Sequence, residues 1–149
     1  MSSNSERFKF WSAAFLILKN GDKILLSKRK DPKHRDGEYG LIAGHIEEGE
    51  TPQHAIIREA REEGGIELLE KDLQVAHVQL RYEDRTYFDV YLISSVWTGE
   101  PHIMEPEKCA DMDWFLTEEL PENTIDYIRD VLGNINRGIF YSNLGFKDK

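Results

Sequence analysis

Three glutamates near the middle of the chain have the type and spacing that could hold a metal ion. Glu59, Glu62 and Glu63 stand at positions i, i+3 and i+4, so a helix would place their carboxylates on one face. Like charges on one face destabilise an isolated helix, and a solvated acidic surface is the ordinary explanation for such a run. Clustered carboxylates also attract hard cations, and Mg²⁺ prefers oxygen ligands together with substrate phosphates. The spacing therefore has two alternative explanations, a magnesium site or a solvated acidic face.

The flanking residues predict the helix that would position these carboxylates. Thr51 can accept an orphan backbone N–H through its hydroxyl, and Pro52 suits the first helical position, where its missing N–H is not needed. Gly64 and Gly65 supply a C-terminal stop that tolerates positive φ. We therefore expect a helix that begins after Thr51 and ends at the glycine pair.

The whole stretch from Gly44 to Ile66 has a pattern that is specific to one family. It reads GHIEEGETPQHAIIREAREEGGI, which is a glycine, five residues, a glutamate, seven residues, and then R-E-apolar-x-E-E-x-G-apolar. Every fixed position of the Nudix signature is matched, so the chain resembles a Nudix hydrolase, an enzyme that cuts a diphosphate linkage using divalent metal. The resemblance favours the metal site over the solvated acidic face.

The resemblance also implies a role for each motif position. Glu59 and Glu63 are the expected principal metal ligands, Glu62 is a third ligand, direct or through water, and the Gly44 carbonyl is another. Arg58 is expected to orient the glutamates by charge-assisted hydrogen bonds rather than to touch substrate. The implied cofactor is Mg²⁺, with Mn²⁺ as the alternative. Which glutamate acts as general base varies across the family and stays open.

Resemblance to the MutT branch of the family adds candidate substrate-binding and metal-binding residues outside the motif. Arg29 follows the second predicted strand, where relatives place an arginine on substrate phosphate, and an ordinary basic strand end is the alternative. Glu107, or less well Glu105, matches a loop carboxylate that completes the metal site, and an acidic surface loop is the alternative. Asn123 and Asp126 lie where MutT-type enzymes contact a purine edge, and the alternative for Asn123 is that it simply caps the helix.

One departure from the relatives concerns the start of the motif. Many nucleotide-cleaving relatives carry Pro-Gly-Gly there, whereas this chain has Ile42-Ala43-Gly44-His45. Because only the motif glycine is retained, the departure bears on the substrate preference and leaves the motif itself untouched.

Composition limits the kind of protein and its partners. The 149 residues fit one domain over 1–149, and the net charge of -9 with a pI near 5.0 disfavours binding to a nucleic-acid polymer. The single Cys109 excludes an intramolecular disulfide and a multi-cysteine zinc site. No apolar run reaches the roughly 18 residues of a spanning helix, and the start MSSNSERFKFW lacks a signal-peptide pattern. A soluble cytoplasmic protein with a small nucleotide partner and no membrane partner is expected.

Strand patterns dominate the rest of the chain. Apolar runs and turn residues predict strands over 12–18, 23–28, 39–43, 73–82, 86–97 and 112–116. A second helix is predicted over 124–132, with Gly133 as its stop. This is an α+β pattern, and it matches the mixed sheet between helices, an α/β/α sandwich, that the Nudix resemblance implies.

The expected activity is the hydrolysis of a nucleoside triphosphate, including oxidised or non-standard ones, to the monophosphate and pyrophosphate. The segment EPEK…W…EELP resembles the branch that removes such nucleotides, and other nucleoside diphosphate-X compounds, such as ADP-ribose or nucleotide sugars, come second. A non-catalytic nucleotide-sensing domain is a rival, but such domains usually lose motif carboxylates, which this chain keeps. An isomerase of the isopentenyl diphosphate type needs a catalytic cysteine and glutamate, for which Cys109 is poor support.

Overall fold

The computed structural model describes residues 6–147 as a strand-rich fold with two α-helices. The strands are β1 (Trp11–Asn20), β2 (Lys23–Arg29), β3 (Tyr39–Gly40), β4 (Ile42–His45), β5 (Gln74–Tyr82), β6 (Thr86–Ser94), β7 (Cys109–Leu116) and β8 (Tyr141–Leu144). The helices are α1 (Pro52–Glu59) and α2 (Asp126–Asn136). The predicted α+β class is confirmed.

The strands form a mixed sheet whose two faces are covered by the two helices. The main sheet has the order β4-β1-β6-β5-β8, with parallel pairing of β1 with β6 and of β5 with β8. The antiparallel set β3-β2-β7 continues from it through the β1–β2 hairpin. Alternate residues of β1 point to opposite faces, so Leu16 packs in the α1 core with Ile56, and Phe15 packs in the α2 core with Ile128. The predicted sheet between helices is thereby confirmed.

Some strand boundaries differ from those predicted. The segment 39–43 forms two strands, β3 and β4, rather than one. The strand predicted over 86–97 ends at Ser94, because the Ser94 hydroxyl donates to the Val96 carbonyl and accepts the Val96 N–H, which turns the chain. Conversely, β7 begins at Cys109, three residues before the predicted start, and β8 has no counterpart in the prediction.

The last helix is displaced towards the C-terminus relative to its prediction. α2 begins at Asp126 and continues through Gly133 to Asn136, so Gly133 is a helical residue and not a stop. The chain leaves the helix at Gly138, whose φ of 75° is a conformation that glycine adopts without strain. Within residues 6–147, no helix has the length and apolar character needed to cross a membrane.

Candidate active site

The motif helix changes geometry in the middle of the glutamate run. α1 ends at Glu59, and Ala60–Gly64 forms a π-helical turn whose closing residue, Gly65, donates its N–H to the Ala60 carbonyl. Gly65 has a φ of 65°, and a Cβ there would lie 2.4 Å from the His102 ring, so the position requires glycine. Single π-helical turns occur frequently at functional sites. The wider turn moves the later glutamates away from the even spacing of a regular helix.

Glu59 and Glu63 form a carboxylate pair on the inner side of this turn. Burial raises the pKa of Glu63 to about 9, and the hydrogen bond and negative charge of Glu59 add to that rise. A hydrogen bond from the Ala43 backbone N–H opposes the rise, because it favours the charged form. Two neighbouring carboxylates disfavour each other's charged form, which raises the pKa of one of them. The pair therefore has the charge and the oxygen donors that fit a hard divalent cation.

Arg58 holds one member of that pair in place. Its Nε and Nη2 donate to the two carboxylate oxygens of Glu50 at 2.8 and 3.0 Å, and its Nη1 donates to Glu59 Oε2 at 3.0 Å. A further bond from Nη2 reaches the His45 carbonyl at 3.1 Å. Hydrogen bonding to Arg58 lowers the pKa of Glu50 to about 2. These contacts are compatible with the orienting role predicted for Arg58, with Glu50 as the fixed support.

Gly44 lies directly against the Glu59 carboxylate. It stands on β4 opposite Ala14 of β1, and a Cβ added to it would meet Glu59 Oε2 at 1.9 Å. No side chain fits into that space unless Glu59 moves. The backbone of Gly44 therefore lies beside the carboxylate pair, where its predicted role as a carbonyl ligand remains a prediction.

The remaining motif glutamate, Glu62, is more exposed than the other two. Glu62 is half exposed, and its Oε2 lies 3.6 Å from Arg58 Nη1. Among residues 6–147, no three His, Cys, Asp or Glu side chains are grouped as the ligands of one metal ion. The residues present thus suit a cation held by the carboxylates of Glu59 and Glu63, with its other positions taken by water, substrate oxygens or a shift of Glu62.

Two adjoining cavities open beside the carboxylate pair. The smaller, of about 550 Å³, is lined by Glu59, Glu62, Glu63 and Glu105, and we call it the glutamate cavity. The larger, of about 830 Å³, extends over the α2 face of the sheet, and we call it the large cavity. Their shared wall consists of Ser27, Arg29, Asp31, Lys108 and Cys109.

The shared wall contains cations suited to phosphate. Arg29 is the last residue of β2. Its side chain is 40% exposed, and within residues 6–147 its polar contacts are long, at 3.3 Å to the His34 carbonyl and 3.4 Å to Asp31. This position is compatible with the phosphate contact predicted for Arg29. Lys108 contributes a second cation that the sequence analysis did not single out, because a lone lysine in an acidic loop gives no signal.

The loop before β7 contributes a different carboxylate from the one favoured by sequence. Glu105 lines the glutamate cavity and adds to the negative charge that raises the pKa of Glu63. Glu107 is exposed and is absent from the lining of both cavities. The structure therefore favours Glu105 over Glu107 as a further ligand. The thiol of Cys109 donates to the Asp111 carbonyl, and its pKa is raised by burial, which does not suit a nucleophile.

The two residues predicted to contact the base lie outside both cavities. The Asn123 amide donates to the Gly37 carbonyl at 2.8 Å, and Ile125 rather than Asn123 precedes the first residue of α2. The Asp126 side chain is 79% exposed and lies 3.3 Å from Arg35. Their positions do not support base contact, and the capping alternative for Asn123 does not hold either. Asn123 instead fixes the loop that contains Gly37.

Three residues that line the large cavity, Arg81, Tyr87 and Tyr127, had no functional prediction from the sequence. Arg81 of β5 and Tyr87 of β6 are direct neighbours in the register, and Tyr127 approaches from α2. The alternation of polar residues along β5 is typical of a solvent-facing strand side. Its burial under α2 becomes evident only when the helix is placed on the sheet.

A family profile described as "NUDIX domain" matches residues 9–132. Among curated relatives, a protein named NAD-capped RNA hydrolase NudC from Vibrio atlanticus (strain LGP32) is 37% identical over 81% of this chain and 48% of its own length. A protein of the same name from Pseudomonas entomophila (strain L48) is 26% identical over 71% of this chain and 36% of its own length. The chain thus spans about half, or less, of these relatives.

Solved structures agree on the fold. A MutT NUDIX hydrolase from Burkholderia pseudomallei matches with a TM-score of 0.77 at 25% identity, covering 85% of this chain and 98% of the other. A MutT protein from Methanosarcina mazei Go1 matches with a TM-score of 0.74 at 17% identity, covering 87% of this chain and 94% of the other.

Proposed function

Because the chain belongs to the Nudix family and is a Nudix hydrolase, we propose that it cleaves a nucleoside triphosphate, including oxidised or non-standard ones, to the monophosphate and pyrophosphate. The observation that carries this proposal is the Glu59–Glu63 pair, which lines the glutamate cavity beside the wall that holds Arg29 and Lys108. The site thus combines carboxylates that suit a metal, cations that suit phosphate, and a large adjoining cavity that suits the nucleoside.

Different side chains have different roles in the proposed reaction. Glu59 and Glu63 would hold a divalent metal, which neutralises phosphate charge and lowers the pKa of a bound water. Arg58 keeps the Glu59 carboxylate in one orientation through the bonds described above. Arg29 and Lys108 lie where they can compensate the charge of the polyphosphate. Water adds to one phosphorus, the bridging oxygen leaves with the departing phosphate group, and no covalent enzyme intermediate is needed.

A second candidate is a nucleoside diphosphate linked to another group. The glutamate cavity and the large cavity adjoin at one wall, so a substrate has room for groups on both sides of the cleaved linkage. The relatives named NAD-capped RNA hydrolase NudC act, by that name, on a compound of this kind. ADP-ribose, a nucleotide sugar and NAD represent this class.

A substrate panel tests the proposal. The purified chain is assayed with Mg²⁺ on standard and oxidised purine triphosphates, ADP-ribose, a nucleotide sugar and NAD, and the products are identified by phosphorus NMR. We expect the highest kcat/KM for a triphosphate, with monophosphate and pyrophosphate as the products. Glu63→Gln serves as the inactive control, and Arg61→Gln, which removes an exposed ion pair with Glu67, serves as the active one.

The comparison of kcat/KM decides between the two candidates. If any diphosphate-X compound exceeds every triphosphate tenfold, about 1.4 kcal/mol of transition-state discrimination, the triphosphate proposal is wrong. Release of orthophosphate instead of pyrophosphate would also contradict it, because the wrong linkage would have been cut.

A further inference from the structure

Part of the sheet side that α1 covers remains exposed. α1 packs against β4, β1 and β6, and the side chains between them form the α1 core. Farther along the same side, Phe88 of β6 lies opposite Leu80 of β5 in the register, and Val78 of β5 lies opposite Tyr141 of β8. Side chains at paired positions point to the same side of a sheet. We call this surface the open face, and it consists of Val78, Leu80, Tyr82, Phe88, Tyr141 and Phe146, whose ring lies 5.9 Å from that of Tyr82.

The open face exposes enough apolar surface for a protein interface. Its four aromatic side chains are 38–51% exposed, namely Tyr82, Phe88, Tyr141 and Phe146. At about 200 Å² for a whole aromatic side chain, they expose roughly 370 Å². A standard interface buries about 800 Å² on each partner, of which about 57%, or roughly 450 Å², is non-polar. Together with the half-buried Val78 and Leu80, the open face therefore supplies the non-polar share of a stable dimer contact.

The open face is uncharged in a strongly charged chain. None of its six residues is acidic or basic, whereas 32% of the chain is charged and the net charge is -9. This net charge disfavours a nucleic-acid polymer and an anionic lipid surface as the partner. Two copies of the chain also repel each other unless they meet through an uncharged surface, because charges more than about 8 Å apart are largely screened at physiological salt. The charge pattern therefore favours a second copy that binds through the open face.

A second sheet fits on the open face beside α1. Packed sheets lie about 10 Å apart, and a helix with its side chains is about 10–12 Å in diameter. The sheet of a second copy therefore fits in the same layer as α1, next to the helix. A two-fold axis brings the same six residues together from both copies, so a single surface forms both sides of the contact.

We propose that the chain forms a two-fold homodimer in which the open faces of two copies pack against each other. None of the six residues lines the glutamate cavity or the large cavity. The dimer contact is therefore separate from the candidate active site, and the proposal does not depend on the proposed function.

Sedimentation velocity of the unmodified protein, from about 1 to about 100 µM, measures the association. An interface of standard size gives dissociation constants in the micromolar range or below, so we expect a species of twice the chain mass of 17.3 kDa that grows with concentration. Because salt screens the repulsion between the two chains, the dimer should become tighter at high salt. A single species of 17.3 kDa over the whole range would overturn the proposal. A dimer that weakens with salt would indicate ion pairs and contradict an uncharged contact.

Charge substitutions then locate the contact. Phe88→Glu and Tyr141→Glu each place two like charges, one from each copy, in an apolar interface, so each should weaken dimerisation at least tenfold. Val96→Glu is the matched control, because Val96 is 58% exposed and follows the end of β6 at Ser94, about 20 Å along the strand from Phe88. It makes the same change in net charge and should leave the dissociation constant unchanged. Folded Phe88→Glu and Tyr141→Glu proteins that dimerise as the unmodified protein does would contradict the proposed face.

Nitration of the unmodified protein locates the contact without any substitution. Tetranitromethane is applied at low and at high protein concentration, and mass spectrometry measures the modification of each tyrosine. Tyr82 and Tyr141, about half exposed, should be protected at high concentration. Tyr87 lines the large cavity and is the internal control, whose modification should not depend on concentration. Equal modification of Tyr82 and Tyr141 at both concentrations would overturn the proposal, even where the charged variants do not fold.

Discussion

Gly44→Ala should disable the enzyme without unfolding it. The added Cβ would lie 1.9 Å from Glu59 Oε2, 2.3 Å from its Cδ and 2.7 Å from its Cγ. Carbon atoms in contact stay about 3.5 Å apart, so the Glu59 carboxylate must move by roughly 1 Å or more. A misplacement of about 1 Å can lower the rate by about 10², which corresponds to about 2.7 kcal/mol of transition-state stabilisation.

The loss should appear in catalysis rather than in stability. The Glu59 side chain lines the glutamate cavity and can move into it, so we expect the Tm to change by only a few degrees. Steady-state hydrolysis measures kcat, Mn²⁺ titration followed by electron paramagnetic resonance measures metal affinity, and calorimetry measures the Tm. We expect a roughly hundredfold lower kcat together with weaker Mn²⁺ binding.

Gly133→Ala is the matched control. Its added Cβ would meet only Arg137 Nη1, at 3.4 Å, and the position lies inside α2. Alanine in a helix interior stabilises by up to about 1 kcal/mol relative to glycine, and activity should be unchanged. A Gly44→Ala protein that has the full kcat would refute the close approach of Gly44 and Glu59 as a requirement for catalysis.

Three further substitutions probe the charges around the carboxylate pair. Arg58→Lys should lower kcat with little change in KM, because a point charge cannot reproduce the paired bonds to Glu50 and the bond to Glu59. A raised KM alone would make Arg58 a substrate-binding group. Because the pKa of Glu63 is raised from 4.5 to about 9 in the metal-free fold, the folded state holds an extra proton and stability falls as pH rises through that window. Glu63→Gln should remove this fall in thermal denaturation of the metal-free protein, and an identical slope in both proteins would count against the raised pKa. Because the pKa of Glu50 is lowered to about 2, its stabilisation is present above pH 4.5 and lost as pH falls towards 2. Urea denaturation should therefore show Glu50→Gln destabilised at neutral pH, with the gap closing in acid; a gap independent of pH would argue against the ion pair.

The carboxylate centre could be predicted because its parts are contiguous in sequence. Gly44, Arg58, Glu59 and Glu63 lie in one strand–loop–helix segment, so their spacing alone encodes their proximity. The π-helical turn over Ala60–Gly64 could not be predicted, since regular helical spacing was the only geometry that the pattern suggested. The contacts of Arg58 with Glu62 and of Glu59 with Glu63 are i,i+4 contacts, which regular helical spacing already predicts.

The large cavity could not be predicted because its walls come together only in the folded sheet. Arg81 lies on a strand side whose polar residues resemble a solvent face, yet α2 buries that side and β6 places Tyr87 opposite Arg81. Asn123 is the converse case, since its position in the sequence matches that of a base-contacting residue. The fold instead turns its amide to the Gly37 carbonyl. Local sequence patterns therefore identify the catalytic chemistry. Substrate selectivity depends instead on contacts between residues that are far apart in the sequence.

Removal and return of metal tests the central claim most directly, namely that the Glu59–Glu63 pair acts through a divalent cation. The protein is stripped of metal, assayed on a nucleoside triphosphate in EDTA, and assayed again after Mg²⁺ is added in excess. We predict no turnover in EDTA, full recovery with Mg²⁺ for the unmodified protein, and no recovery for Glu63→Gln, which retains its fold. Full turnover by the stripped protein in EDTA would contradict the account.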